Sequence, residues 1–211
     1  MHLFRTKLGR SDLPKHLRSC SRPHLMLQKS FNSNCYQFIS SIEYTSRMNN
    51  DFLDALSIDE LWEKYAAVHN RLKDLGQIRS RNITGDFGEQ LAISMYNKTK
   101  GLPKLQMAPP STKNIDAIST AGDRYSIKTI THPNKTTGVF HGYGTPDKPI
   151  SKQMFEYLIV VVIKDYKPKL IVELDWNNFY HLKRWHSTMQ AHNISLSKAV
   201  VEKSKIIYQE I

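Results

Sequence analysis

A carboxylate and an ammonium brought onto neighbouring strands are the groups in this chain best placed to do chemistry. Asp116 ends the run Asn114-Ile115-Asp116, and Lys128 lies in Arg124-Tyr125-Ser126-Ile127-Lys128-Thr129, with Thr120-Ala121-Gly122-Asp123 between them. If Thr120, Ala121 and Gly122 form a hairpin loop with Gly122 in the left-handed conformation, residue 119 pairs with 123 and Asp116 falls opposite Ser126. Lys128 then shares a face with Ser126, two residues along. Such a pair suits phosphodiester hydrolysis. The carboxylate holds a divalent cation against the phosphate, and the ammonium orients the attacking water or steadies developing charge.

The surrounding elements are legible from caps and periodicity. Ser57-Ile58-Asp59-Glu60 is a capping box, and Leu61, Tyr65, Val68, Leu72 and Leu75 follow at helical spacing until Gly76. This predicts an amphipathic helix of about five turns that packs across the domain. A second helix is expected from near Thr84 to about Asn97, with Phe87, Leu91 and Met95 on one stripe and Glu89, Ala92, Ile93 and Tyr96 on another. Glu89, the acid of the second stripe, is either a solvated edge residue or a carboxylate aimed at a site, because buried acids persist only when paired or metal-bound.

Beyond the hairpin, residues 130–149 are rich in Gly and Thr and too long for a neutral connector. A short helix over 151–156 leads into Tyr157-Leu-Ile-Val-Val-Val-Ile163, a buried central strand, and 169–174 reads as another strand. Asp175 opens a helix carrying Phe179, Leu182 and Trp185, and one more helix is expected between 194 and 211.

Across all 211 residues, 30 basic and 19 acidic side chains give a formal charge of +11, which favours a polyanionic partner. Residues 1–47 carry 8 basic and 2 acidic residues, or +6, leaving 22 and 17, or +5, for the remainder. That leading segment is Arg- and Ser-rich and without clean periodicity. It reads as an over-extended start or disordered arm, with a mitochondrial-type transit peptide as the alternative. Both cysteines, Cys20 and Cys35, lie in it, so neither a disulfide framework nor a zinc site is expected. The longest apolar stretch, 157–163, is too short to span a bilayer, and no membrane partner is expected.

The order of helix with Glu89, strand with Asp116, strand with Ser126-Ile127-Lys128, short helix and two further strands resembles the restriction-endonuclease-like PD-(D/E)xK nuclease superfamily. Arg79-Ser80-Arg81-Asn82, Gly85-Asp86-Phe87-Gly88-Glu89, Ile115-Asp116-Ala117 and Arg124-Tyr125-Ser126-Ile127-Lys128 resemble a little-characterised bacterial family within it. The resemblance covers most of residues 48–211. It implies an α/β restriction-endonuclease-like core, a mixed sheet of about four or five strands flanked by helices, with a leading helix over 48–80 and a nuclease core over 84–211. It further implies a Mg²⁺-dependent endonuclease, with Mn²⁺ able to substitute, acting on DNA in the cytoplasm of a bacterium, or in mitochondria if 1–47 is a transit peptide. Homodimers are common among such enzymes.

Carried over by position, Asp116 is the metal-binding aspartate, Lys128 the lysine and Glu89 the acid of the first helix. Ser126 departs from the pattern, which has a carboxylate or glutamine there. The missing ligand is expected from Glu156, supplied from the next helix, or from Glu89 directly. The competing expectation is a catalytically inactive member kept to bind DNA or a protein, for which Ser126 is the main support.

Other constellations are weaker. His181, His186 and His192 lack zinc-motif spacing, and Trp176 and Trp185 suit packing of a helix on the sheet. Lys183 and Arg184 form a short basic cluster of the kind usually solvated. The stretch 138–144 lacks the lysine and hydroxyl placement of a phosphate-binding loop, though Lys135 and His141 could touch DNA. Ser126 sits in mid-strand without a histidine partner, unlike a serine nucleophile.

Overall fold

The structure is a computed structural model that describes residues 52–109, 112–149 and 152–210. The arm expected over 1–47 lies outside the described residues. The unit Ala55–Ile211 contains all of the elements below.

Helix α1 (Ile58–Asp74) starts with the expected capping box, in which the Ser57 hydroxyl accepts from the Glu60 amide and the Glu60 carboxylate accepts from the Ser57 amide at 2.8 Å. It stops at Gly76, φ +67°, where Gly76 and Gln77 donate to the Lys73 and Leu72 carbonyls in a Schellman arrangement. The expectation that α1 packs across the domain is corrected: no described residue of the helix is buried, and Trp62 is 66% exposed. Its apolar face therefore contributes little to the stability of the described fold. Trp62→Gln and Val68→Gln in the full chain should each move the melting midpoint by no more than about 1–2 °C, as surface substitutions do. A drop several times larger in thermal melts would show that the face is covered in solution.

Helix α2 (Ile83–Lys98) is capped by Asn82, whose side chain accepts from the Gly85 amide at 3.1 Å. It buries Gly88, Ala92, Ile93, Met95 and Tyr96. Asn97 near its end brackets the Leu105 amide and carbonyl, at 2.8 and 2.9 Å, and so ties the first edge strand to the helix.

The strands are β1 (Leu105–Met107), β2 (Ala117–Ser119), β3 (Arg124–Thr131), β4 (Tyr157–Lys164), β5 (Lys167–Asp175), and β8 (Lys205–Gln209), which follows the elements named below. They form a mixed six-stranded sheet in the order β1-β2-β3-β4-β5-β8, in which β3 and β4 are parallel and all other neighbours antiparallel. The fold is thus α/β, with one strand more than the upper end of the expected range. Register between β2 and β3 is as expected: Ala117 pairs with Tyr125, and the Ser119 amide donates to the Asp123 carbonyl across a loop whose Gly122 has φ +94°. The β4–β5 turn uses Asp165 and Tyr166 with φ +50° and +55°, the left-handed pair of a type I′ hairpin.

One sheet face carries Ile130, Leu158, Val160, Val162, Val172 and Leu174, covered by Phe140, Phe155, Trp176, Phe179 and Ile194. On the other face, α2 lies against β3 and β4, with Tyr96 edge-on to Tyr125 at 5.9 Å. Fully burying side chains of this size removes about 1.5–3 kcal/mol worth of apolar surface each from water, so the sheet is the rigid base of anything built on β2 and β3.

Two expectations along the chain are corrected. Residues 152–156 form no helix, and the described residues between β3 and β4 are irregular chain anchored by Phe140 and Tyr143, whose rings are buried in the core. Trp185 is not on the helix opened by Asp175. That helix, α3 (Trp176–Leu182), ends first, and Trp185 lies on β6 (Arg184–His186), paired with β7 (Ala191–Asn193). The expected last helix is short, α4 (Lys198–Glu202), and leads into β8. Among the described residues no helix is long and apolar enough to cross a membrane.

Candidate functional site

Asp116 immediately precedes β2, and its backbone is held on both sides. Its amide donates to the Tyr125 carbonyl at 2.8 Å, and its carbonyl accepts from the Ala108 amide at 2.9 Å. Its side chain turns toward β3, where three groups converge on Oδ2: the Ile127 amide at 2.6 Å, the Ser126 hydroxyl at 3.2 Å and the Lys128 ammonium at 3.9 Å. The hairpin alternation explains this, because pairing of 117 with 125 brings residue 116 level with 126. Asp116 and Lys128 keep 21% and 28% side-chain exposure, so both remain reachable from solvent. The Lys128 ammonium also stands 5.4 Å from the centre of the Phe140 ring.

Ser126 is buried and serves as a neutral donor to Asp116. A carboxylate in its place would face Asp116 with like charge unless a cation stood between them. The serine therefore removes both a potential ligand and the repulsion that such a ligand creates.

Glu89, on the second turn of α2, is the nearby second acid. Arg79 donates from Nη2 to its Oε2 at 2.5 Å and from Nη1 to the Ala108 carbonyl at 3.1 Å, joining Glu89 to the segment that holds Asp116. Asp86 in turn fixes Arg79, since its Oδ2 accepts from the Arg79 and Ser80 amides at 2.9 and 2.8 Å. Burial raises the Glu89 pKa, and the negative charge of Asp116 pushes it the same way, against the pull of Arg79.

Glu156 does not join these two. It faces Arg124, and its carboxylate accepts from the Arg124 Nη2 at 2.6 Å, Nε at 3.0 Å and backbone amide at 2.6 Å. The guanidinium holds the Glu156 carboxyl below the usual carboxylate range. Parallel pairing of β3 with β4 sets Tyr125 beside Tyr157 and so places 124 next to 156. Among the described residues no three His, Cys, Asp or Glu side chains come together in a group able to hold a metal ion. The shell expected from Asp116, Glu89 and Glu156 therefore has at most its first two members.

Sequence reasoning assigned no role to Arg79 or Tyr143. Arg79 had a signal in its position before the α2 cap, but its link to Glu89 depends on tertiary structure. Tyr143 is almost fully buried against Phe140, Phe155 and Phe179. Burial raises its pKa, with a further push from the Asp116 charge. Lys183 sits 4.0 Å from the centre of the Tyr180 ring, and Trp185 packs edge-on to the buried His192. Both contacts belong to packing.

No protein-family model matches the chain, and no curated protein is significantly similar to it in sequence.

Proposed function

We propose that this protein is a metal-dependent nuclease with a restriction-endonuclease-like core, hydrolysing phosphodiester bonds in DNA. The observation that carries the reading is the convergence on Asp116: a carboxylate at the start of β2 gripped by the Ile127 amide and Ser126 hydroxyl, with the Lys128 ammonium beside it and Glu89 close enough to feel its charge. An ion pair this exposed contributes only about 0–1 kcal/mol to stability, so folding alone gives little reason for it.

The donor set fits a small hard cation. Asp116 and Glu89 offer carboxylate oxygens, and magnesium commonly takes one or two of these with water and phosphate completing its shell. The Asp116 charge raises the cost of ionising Glu89, a cost that a bound cation removes. When bound, the ion supplies Lewis acidity toward the phosphate and lowers the pKa of water. The chain's own residues do the rest. The Ile127 amide and Ser126 hydroxyl fix the Asp116 carboxylate, Arg79 fixes Glu89, and Lys128 orients the attacking water or meets negative charge growing on the phosphate oxygens.

A second reading, an inactive module that binds DNA or a protein, is favoured by two observations. Ser126 stands where a carboxylate is usual, and Glu156 is committed to Arg124. Plasmid and linear DNA incubated with the full chain in Mg²⁺, Mn²⁺ or EDTA separates the two. Cleavage that needs metal and is lost in Asp116→Ala is the expected result. DNA binding without cleavage under either metal would move the assignment to the binding module.

A further inference from the structure

Charge is unevenly divided over the described part of the chain. Within 52–210, the three longest stretches without an acid are 90–115, 124–146 and 176–201. Together they carry 10 basic side chains and no carboxylate, whereas the rest of 52–210 carries 12 basic and 16 acidic ones. The basic excess of the folded unit therefore belongs to these stretches, and the remainder is net acidic.

The fold joins the three stretches. Lys113 Nζ comes within 3.8 Å of the place a Cβ on Gly142 would occupy, which brings the first against the second. Backbone hydrogen bonds tie the second to the third: the Thr137 amide donates to the Ile194 carbonyl at 2.9 Å, the Leu196 amide to the Lys135 carbonyl at 2.6 Å, and Phe140 and His192 exchange bonds of 2.6 and 3.2 Å. The candidate site lies at their meeting. The first stretch ends one residue before Asp116, and the second contains Lys128, whose ammonium stands 5.4 Å from the centre of the Phe140 ring. Phe140 pairs with His192 and His192 with Trp185, so β6 lies two strand spacings, about 10 Å, from Phe140.

Each stretch presents a cation with no carboxylate to answer it. Lys113, Lys135 and Arg184 are exposed, and none forms an ion pair with another described residue. Arg124 and Lys198, by contrast, meet Glu156 and Glu202. Unpaired cations gathered on a surface without acids repel one another, so the isolated fold gains nothing from the arrangement. A polyanion turns the same arrangement into attraction and releases its own counterions on binding.

We propose that the three joined stretches form the surface that receives a DNA duplex, with Lys113, Lys135 and Arg184 contacting backbone phosphates around the one held at Asp116 and Lys128. The inference rests on the nuclease reading only for the choice of DNA as the polyanion. Such contacts fix where the duplex lies and carry no sequence information of their own.

The test compares two triple variants of the full chain, Lys113→Ala with Lys135→Ala and Arg184→Ala, and Lys73→Ala with Lys164→Ala and Lys167→Ala. The second set removes three exposed lysines outside the stretches and so matches the first in net charge. Binding of a fluorescent 20-base-pair duplex is followed by anisotropy in Ca²⁺ across a range of salt. Residues 1–47 add the same background to every protein, so differences in slope carry the result. The first variant should lose about 2 to 3 units of the slope of log K against log salt, and roughly 100-fold in affinity at 0.15 M salt. The second should stay within about 3-fold of wild type with its slope unchanged. Equal losses in the two variants, no loss in the first, or no duplex binding by the wild type would each overturn the proposal. If binding depends on the first set while the wild type cuts no DNA in Mg²⁺ or Mn²⁺, the surface stands and the nuclease reading falls. Metal-dependent cutting by a protein whose binding ignores the first set leaves the nuclease standing and removes this surface.

Discussion

Lys128→Ala should lower metal-dependent DNA cleavage about 10²- to 10³-fold, in the range seen when one preorganised electrostatic contact to a transition state is lost. DNA affinity measured in Ca²⁺ should change only a few-fold, because a single phosphate contact is a small part of the electrostatic attraction between a basic protein and DNA. The melting midpoint should move little. The ammonium is partly exposed, 3.9 Å from its carboxylate partner, and its contact with Phe140 is worth about 0.5–1 kcal/mol at such a site. Equal losses of affinity and cleavage would make Lys128 a binding residue, and a large fall in melting would make it a structural one. Lys128→Arg should not restore the rate, because a larger planar guanidinium spreads its charge over a fork and does not present it at the point where the compact ammonium stands beside Asp116.

The separation of rate from affinity matters because the two readings of the protein differ there. An inactive module would use Lys128 only as a cation for phosphate, and its removal would flatten the salt dependence of binding by about one unit of slope. In the nuclease reading the same cation acts mostly on charge that exists only in the transition state, so the rate carries the effect.

The parts of this arrangement readable from the sequence are those with local causes. Gly122 and the alternation of Ala117-Ile118-Ser119 with Arg124-Tyr125-Ser126 contain the hairpin register, and from it the meeting of Asp116 with Ser126 and Lys128. The capping box of α1 and the β-branched run of β4 are equally local. Tertiary facts were not readable. The α1 stripe has the periodicity of a buried face, but periodicity reports which residues can be covered and not whether anything covers them. Glu156 sits between Phe155 and Tyr157, and nothing nearby in sequence announces Arg124. Their ion pair follows from parallel pairing of strands 32 residues apart. Tyr143 belongs to a Gly-rich stretch that looks mobile by composition, and its burial depends on Phe140 bridging to His192 on β7. Strand β8 was missed because Lys205-Ile206-Ile207-Tyr208-Gln209 is an edge strand whose exposed half weakens the apolar pattern.

Gly88→Ala should have the largest effect on stability, and its cause couples the fold to the site. A Cβ built on Gly88 would lie 1.8 Å from Thr129 Oγ1, 2.9 Å from its Cβ and 3.0 Å from its Cγ2. Rotating the threonine offers no escape, since its Cβ, which no side-chain rotation moves, would itself lie only 2.9 Å from the added methyl. Helix α2 must then move away from β3, and overpacking of this kind costs about 3 kcal/mol or more, roughly 6–12 °C in melting midpoint for a domain of this size. The double variant Gly88→Ala with Thr129→Gly should recover much of the loss, and strict additivity of the two would disprove the contact as its cause. The neighbours of these residues give the functional half of the prediction. Glu89 follows Gly88 on the helix and Lys128 precedes Thr129 on the strand, so the close approach of 88 to 129 sets the distance between the second acid and the Asp116–Lys128 pair. Gly88→Ala protein that remains folded at low temperature should therefore cut DNA poorly while holding its Asp116–Lys128 geometry. A variant that melts early yet cuts at the wild-type rate would show that Glu89 has no part in the chemistry.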